Sequence, residues 1–266
     1  MNTHVFRFLP IVAVSLWAAG CPRVLPLEFG PEGPLKDGEL VLARLEAAQH
    51  AVTSLEAEGH IRFHGPEGGG SARALIAASE EGRVQIALLD FFGKPQVVLV
   101  TDGTRLGLYQ GQENRYYQGA ATPQNLARLI PMVVPPQVLA ERLLGRVDVL
   151  PGESSALTVD KARAAYHLSR TFAEGVQQLW IHPKHYRAVG SEVTTDGTTL
   201  GFDDFRGEGG QMFPWRLHWR QGAREIELHY SDVSLNAALD SEMFEPKPPV
   251  GVPVVNMDVP EPSTGR

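Results

Sequence analysis

The chain has one cysteine, no basic excess and no long hydrophobic run, and each shortage removes a class of protein. A single cysteine, Cys21, excludes an intrachain disulfide and a zinc centre built on several thiolates. Its 24 Lys and Arg stand against 31 Asp and Glu, for a net charge of −7. That is the wrong sign for gripping phosphates, so nucleic acid is not an expected partner. The longest apolar stretch, 8–19, holds about a dozen residues, fewer than the ~20 a membrane-spanning helix needs.

Catalytic patterns are equally scarce. Ser154-Ser155 follows Gly152-Glu153, but the Gly-x-Ser-x-Gly turn that exposes a nucleophile is absent. His60 and His64, and His182 and His185, have spacings seen in metal pairs. Both pairs fall in β-type segments, where an offset of three points side chains to opposite faces, and no Cys or carboxylate partner is evident; surface histidines are expected. The neighbours Asp203-Asp204 and Glu80-Glu81 point apart on a strand and read as solvated edges or turns. No catalytic constellation results, so the chain reads as a non-enzyme with no metal and no cofactor beyond a covalent lipid.

What is present begins at the N-terminus. Arg7 precedes the apolar stretch, which ends in Leu16-Trp17-Ala18-Ala19-Gly20-Cys21. A short h-region closed by small residues is a secretory signal, and small residues before a lone Cys resemble the bacterial lipobox, with Ala18 where Leu, Val or Ile usually stands. The resemblance implies cleavage of residues 1–20, a diacylglycerol thioether on the Cys21 sulfur and an acyl chain on its nitrogen. Each buried methylene is worth ~0.8 kcal/mol, so several chains anchor a protein stably. The alternative is an ordinary signal peptide with an incidental cysteine. Pro22 and Arg23 follow, without the Asp that holds enteric lipoproteins in the inner membrane, which favours the outer membrane facing the periplasm. Residues 21–38, rich in Pro and Gly, read as a tether, and 39–248 as the folded domain. Residues 249–266, Pro-rich and patternless, read as a disordered tail.

Within the domain the hydrophobic period changes twice. Asp37 is placed to cap a helix, and Val41, Leu45, Ala48, Val52 and Leu55 form one stripe, predicting about 16 helical residues. Short β-rich segments follow at 57–64, 71–78, 83–91, 96–101, 104–110 and 113–118, separated by Gly and Asp turn signals. Val84, Ile86 and Leu88 alternate with polar or small residues, as in a half-buried strand. Two short helices then interrupt. Thr122-Pro123 starts one with Leu126, Leu129 and Ile130 on its apolar face. Pro135-Pro136 starts the other, with Leu139 and Leu143, ended by Gly145. The apolar linker Met132-Val133-Val134 joins them. Strands resume at 156–160, 164–171, 176–182, 185–194, 199–206, 211–220 and 223–230. In one of them Phe213, Trp215, Leu217 and Trp219 share a face, an aromatic wall.

The order predicts a mainly β fold: an incomplete, half-open antiparallel barrel of about 11–13 strands, with an N-terminal helix and two short lid helices. Val84, Ile86, Leu88, Phe213, Trp215, Leu217 and Trp219 are the expected lining of an apolar cavity, and Leu126, Leu129, Ile130, Leu139 and Leu143 the underside of its lid.

Several strings in this plan resemble the lipoprotein-localisation (Lol) superfamily, nearest to LolB-like outer-membrane lipoproteins. They are Leu88-Leu89-Asp90-Phe91-Phe92-Gly93, Val98 to Gly103, Arg115-Tyr116-Tyr117-Gln118-Gly119, Leu126-Ala127-Arg128-Leu129, Leu143-Leu144-Gly145-Arg146 and Leu228 to Asn236. The resemblance implies an open barrel that shields acyl chains of lipoproteins or lipids. It also implies a periplasmic LolA-type carrier as donor and outer-membrane lipid as destination. In the receptor a loop between early strands carries an exposed Leu in a Leu-Gly step for membrane insertion; here that step falls on Phe92-Gly93, with Phe91 before it. Two Phe at a turn are also unusual in their own right, since turn tips are normally polar. The alternative reading is a scaffolding envelope lipoprotein whose barrel is filled by its own side chains and binds another protein.

Overall fold

Alternation builds the sheet. In β1 (Ser54–Gly65), Leu55, Ala57 and Ile61 are buried, while Glu56, Glu58, His60 and Arg62 are exposed, so one face meets a core and the other meets water. The computed structural model describes residues 26–258 apart from 67, 129 and 131. Cys21 with its lipobox, and Leu129 of the expected lid, lie outside the described residues.

From β1 the chain runs as an antiparallel meander through β2 (Gly68–Ser79), β3 (Val84–Leu89), β4 (Pro95–Thr101), β5 (Arg105–Gln110) and β6 (Arg115–Ala120). After the mid-chain helices come the short β7 (Glu153–Ser154) and β8 (Thr158–Asp160). A second meander follows: β9 (Ala165–Phe172), β10 (Gly175–Ile181), β11 (Ala188–Val193), β12 (Thr198–Glu208), β13 (Gln211–Gln221) and β14 (Arg224–Leu235). The meanders join where β14 pairs with β1. With β15 (Val254–Asn256) at one edge, the result is one 15-stranded sheet, ordered β15-β6-β5-β4-β3-β2-β1-β14-β13-β12-β11-β10-β9-β7 with β8 also paired to β9, that does not close on itself. A strongly twisted sheet of this width curls, which gives the half-open barrel that the strand count predicts.

Two boundaries differ from expectation. The first helix, α1 (Gly38–His50), is capped by Asp37, whose carboxylate accepts from the amides of Glu39 and Leu40. It stops before Val52 and Leu55, although both are fully buried. Leu55 instead belongs to β1. Asn236 enforces the break: its side-chain oxygen accepts from the Thr53 amide at 2.8 Å, and its amide group donates to the Ala51 carbonyl at 2.9 Å. The apolar stripe therefore continued across a change of structure. At the other end, the stretch read as a loose tail carries β15 (Val254–Asn256), parallel to β6. Met257 donates to Gln118 O at 2.8 Å, and Asp258 accepts from Ala120 N and Asn125 Nδ2, both at 2.9 Å. Backbone pairing needs no side-chain pattern, so composition gave no sign of it.

The helices fill the concave side. α2 (Pro123–Leu126), capped by Thr122, and α3 (Pro136–Leu143) connect the two meanders. Leu126, Leu139 and Leu143 are buried in the same cluster as Val41 and Leu45 of α1 and the inner faces of the strands. Buried arginines fasten this lid. Arg187 donates to the carbonyls of Ala48 at 2.8 Å and of Leu144 and Gly145 at 3.1 Å. Arg146 donates to Gln49 O and Val52 O and reaches Glu80 at 3.1 Å. Gly145, just past the end of α3, has φ +68°, and a Cβ there would lie 2.8 Å from both Arg187 Nη2 and Pro214 Cγ. Glycine meets both demands at once.

Candidate functional site: a lid-covered cavity and an exposed aromatic loop

A cavity of about 360 Å³ lies between the lid and the concave face of β10–β13. Ligand sites run from roughly 300 to 1,000 Å³, so this one has room for a single slender ligand. Val133, Val134 and Val138 form its lid side; Val193, Leu200 and Trp219 face them from the sheet. Gln177 and Ser191 are buried beside them: Gln177 Nε2 donates to Ser191 Oγ at 3.0 Å and to Asp148 O at 2.7 Å. Arg142, almost fully buried on α3, donates to Arg146 O at 3.0 Å and pairs with the Asp148 carboxylate.

Of the seven residues expected to line a cavity, Trp219 does so. Val84, Ile86, Phe213 and Leu217 are buried in the core, and Leu88 packs against it half-buried. The helices account for the difference: they occupy the middle of the barrel and leave open space only toward β10–β13. Trp215 does not line the cavity either. As alternation predicts, it shares the inward face of Phe213 and Leu217 and packs half-buried against the core, with the Arg206 guanidinium 4.2 Å from its ring centroid. Across from it Asp204 has φ +55° and holds Arg206 through two hydrogen bonds. The β12–β13 register is the same on both sides of Asp204. Of the lid residues, Leu126, Leu139 and Leu143 are buried and Ile130 is partly buried against the core; the linker valines, not these, cover the cavity.

The second feature is the turn between β3 and β4. Phe91 is 95% exposed and Phe92 82% exposed, while most large apolar side chains among the described residues are buried or half-buried. The turn is held firmly under them. Asp90 Oδ1 accepts from the amides of Phe92 at 2.8 Å and Lys94 at 2.9 Å, and Oδ2 accepts from Gln96. Gly93 takes φ +80° and donates to Asp90 O at 3.0 Å. The two rings meet edge to face at 5.5 Å, which keeps both pointing outward from a fixed base.

The histidines divide. His60 and His64 are exposed on β1, as read from their spacing. His182 and His185 are not surface residues on opposite strand faces. Pro183 places them in the tight turn between β10 and β11, where the rings stack 3.7 Å apart and both pack on Phe205. Their Nδ1 atoms accept from the amides of Lys184 and Arg187. Burial, then the neighbouring His182 and Arg187, pushes His185 down to about 3; burial also lowers His182. In the unfolded chain a histidine takes its proton near pH 6.5, so between about pH 6.5 and 3 the unfolded state binds the extra proton and stability falls as pH falls. Urea midpoints measured at about pH 7.5 and 5 should therefore drop on acidification, and His185→Phe, which keeps the stack without the titration, should reduce the drop. An equal drop in the variant would show that other groups carry it.

Among the described residues no group of three or more His, Cys, Asp or Glu is arranged to hold a metal ion, and no helix is long and apolar enough to cross a membrane.

The open sheet wrapped around lid helices defines the class: the chain has the fold of the LolA superfamily. It is similar to an outer membrane lipoprotein-sorting protein domain from Vibrio parahaemolyticus (12% identity, 77% of this chain and 95% of that one, TM-score 0.52). A LolA superfamily protein from Nitrosomonas europaea matches at 15% identity over 80% and 98% of the two chains, TM-score 0.51. A DUF1329 family protein from Desulfovibrio piger matches at 10% identity over 78% and 95%, TM-score 0.53. At such identities the likeness is one of fold. No family model matches the sequence, and no curated protein matches it significantly.

Proposed function

We propose that this chain is a non-catalytic envelope lipoprotein, anchored to the outer membrane through Cys21, that takes an acyl chain of a lipoprotein or lipid under its lid and releases it to the bilayer. The observation that carries this reading is the cavity itself: mainly apolar, on the concave face, and roofed by the valine linker together with one face of α3. Burial of apolar surface at ~25 cal/mol per Å² supplies the affinity. Release requires that the cavity hold the chain more weakly than a bilayer does. Phe91 and Phe92 supply the step toward the membrane, because two rings held in water gain by entering the interface. A periplasmic LolA-type carrier is the donor this scheme implies.

The full chain carrying Cys21→Ser should bind a fluorescent acyl probe, and Val193→Trp, which fills the cavity from a half-buried wall position, should weaken binding at least tenfold with little change in melting temperature. Undiminished binding would remove the cavity from the account. A second reading, a scaffold with a filled barrel, draws on the close packing of Val84, Ile86, Phe213 and Leu217; it prevails if no acyl probe binds at all.

A further inference from the structure

The cavity is mainly apolar, yet two of its lining side chains carry buried donors without partners. Trp219 Nε1 and Arg142 Nε make no hydrogen bond, and their residues are 2% and 5% exposed. A buried donor left unmade costs roughly 1–3 kcal/mol, so such groups are normally satisfied. Neither is an accident of a loose surface: Trp219 pairs across the sheet with Leu200 and Ile226, and Arg142 is pinned by Arg146 O and Asp148. Both are sealed from solvent in this lidded form, so a ligand can contact them only once the cover of the cavity has moved.

The charge around the donors selects the acceptor. Arg142 is the one cation lining the cavity, and Asp148 already neutralises it. Asp196 stands at the rim, and Glu141 lies 4.0 Å from the Arg142 guanidinium. A carboxylate or phosphate entering here would meet more negative than positive charge. A neutral carbonyl offers lone pairs without that repulsion.

We infer that the cavity recognises the carbonyl of a neutral acyl ester or amide, with the Trp219 indole N–H as the specificity-determining donor and Arg142 Nε a second donor of the same lining. This rests on the acyl-binding reading above and narrows it: an ester- or amide-linked chain is preferred over a free fatty acid, whose carboxylate meets the acidic surroundings. The apolar valines then take the methylenes next to the carbonyl.

The test is displacement of bound N-phenyl-naphthylamine from the full Cys21→Ser chain by methyl laurate, laurate and dodecane at mildly alkaline pH. Methyl laurate should compete at least about fivefold better than either of the others, the value of one hydrogen bond in a dry site. Trp219→Phe should abolish its advantage over dodecane while dodecane still competes. Equal competition by methyl laurate and dodecane in the unaltered pocket overturns the inference even if the variant does not fold. So does a preference for laurate, or an ester preference that survives Trp219→Phe. If neither the naphthylamine nor any of the three ligands binds, the acyl-binding reading itself fails, a result distinct from binding without preference.

Discussion

Phe91→Ser combined with Phe92→Ser should detach the unlipidated protein from membranes. The measurement is co-sedimentation of the full Cys21→Ser chain with phosphatidylethanolamine–phosphatidylglycerol vesicles. Burying one Phe side chain is worth roughly 1.5–3 kcal/mol, so two rings contribute about 3–6 kcal/mol when they enter the interface. At about 1.4 kcal/mol per factor of ten, the partition coefficient should fall a hundredfold or more. The fold should not suffer, because both rings stand in solvent and the turn is held by Asp90 and Gly93 rather than by them. Unchanged partitioning with an intact melting curve would mean that the aromatic tip does not meet lipid. Lys94 beside the rings can keep its ammonium at headgroup level while they insert.

The largest loss of stability should come from Arg187→Met. The guanidinium is 2% exposed and is the shared donor for Ala48 at the end of α1 and for Leu144 and Gly145 at the end of α3. Burial, with Arg146 nearby, lowers its pKa only to about 10, so it stays charged at neutral pH. Methionine fills much of the volume but leaves three carbonyls facing no donor. Stranding buried polar groups of this kind costs about 3–5 kcal/mol. For a domain of this size that lowers the melting temperature by roughly 10 °C. Arg206→Met is the contrast. Arg206 pairs with Asp204 and lies over the Trp215 ring on an exposed surface, and its loss should cost far less than that of Arg187. Similar losses for the two variants in calorimetry would contradict the clamp described here.

The parts of this fold legible in the sequence are those governed by local period. Strand alternation placed Leu217 and Trp219 inward, Asp37 marked the start of α1, and Thr122-Pro123 and Pro135-Pro136 marked the lid helices. Leu55 misled because the stripe of α1 and the inner face of β1 meet the same core. Trp215 keeps the face that alternation gives it and packs half-buried against the core, but the cavity is lined by Trp219 and not by it. The cavity was the least legible part. Its position depends on where α3 seats against a sheet formed by residues far away in sequence. Arg142, Gln177 and Ser191 look like ordinary surface residues until that packing buries them. The linker valines were visible as an apolar stretch between two prolines, and their place over the cavity was the missing element. The aromatic turn was visible because Phe-Phe at a hairpin tip contradicts the usual polarity of turns.

The seam between the two meanders carries a consequence for biogenesis. Leu55 pairs with Leu235, a separation of 235 − 55 = 180 residues, and every rung of the β1–β14 ladder is similarly remote in sequence. Until β14 is synthesised, β1 leaves an open row of amides and carbonyls along the oily side of an unfinished sheet, the arrangement most prone to wrong pairing. Such topologies also fold slowly, because distant segments must meet before the contacts reward them. A polypeptide that crosses a membrane unfolded would therefore mature only after its last strands have emerged, and holdase protection of the N-terminal half would matter most during that interval.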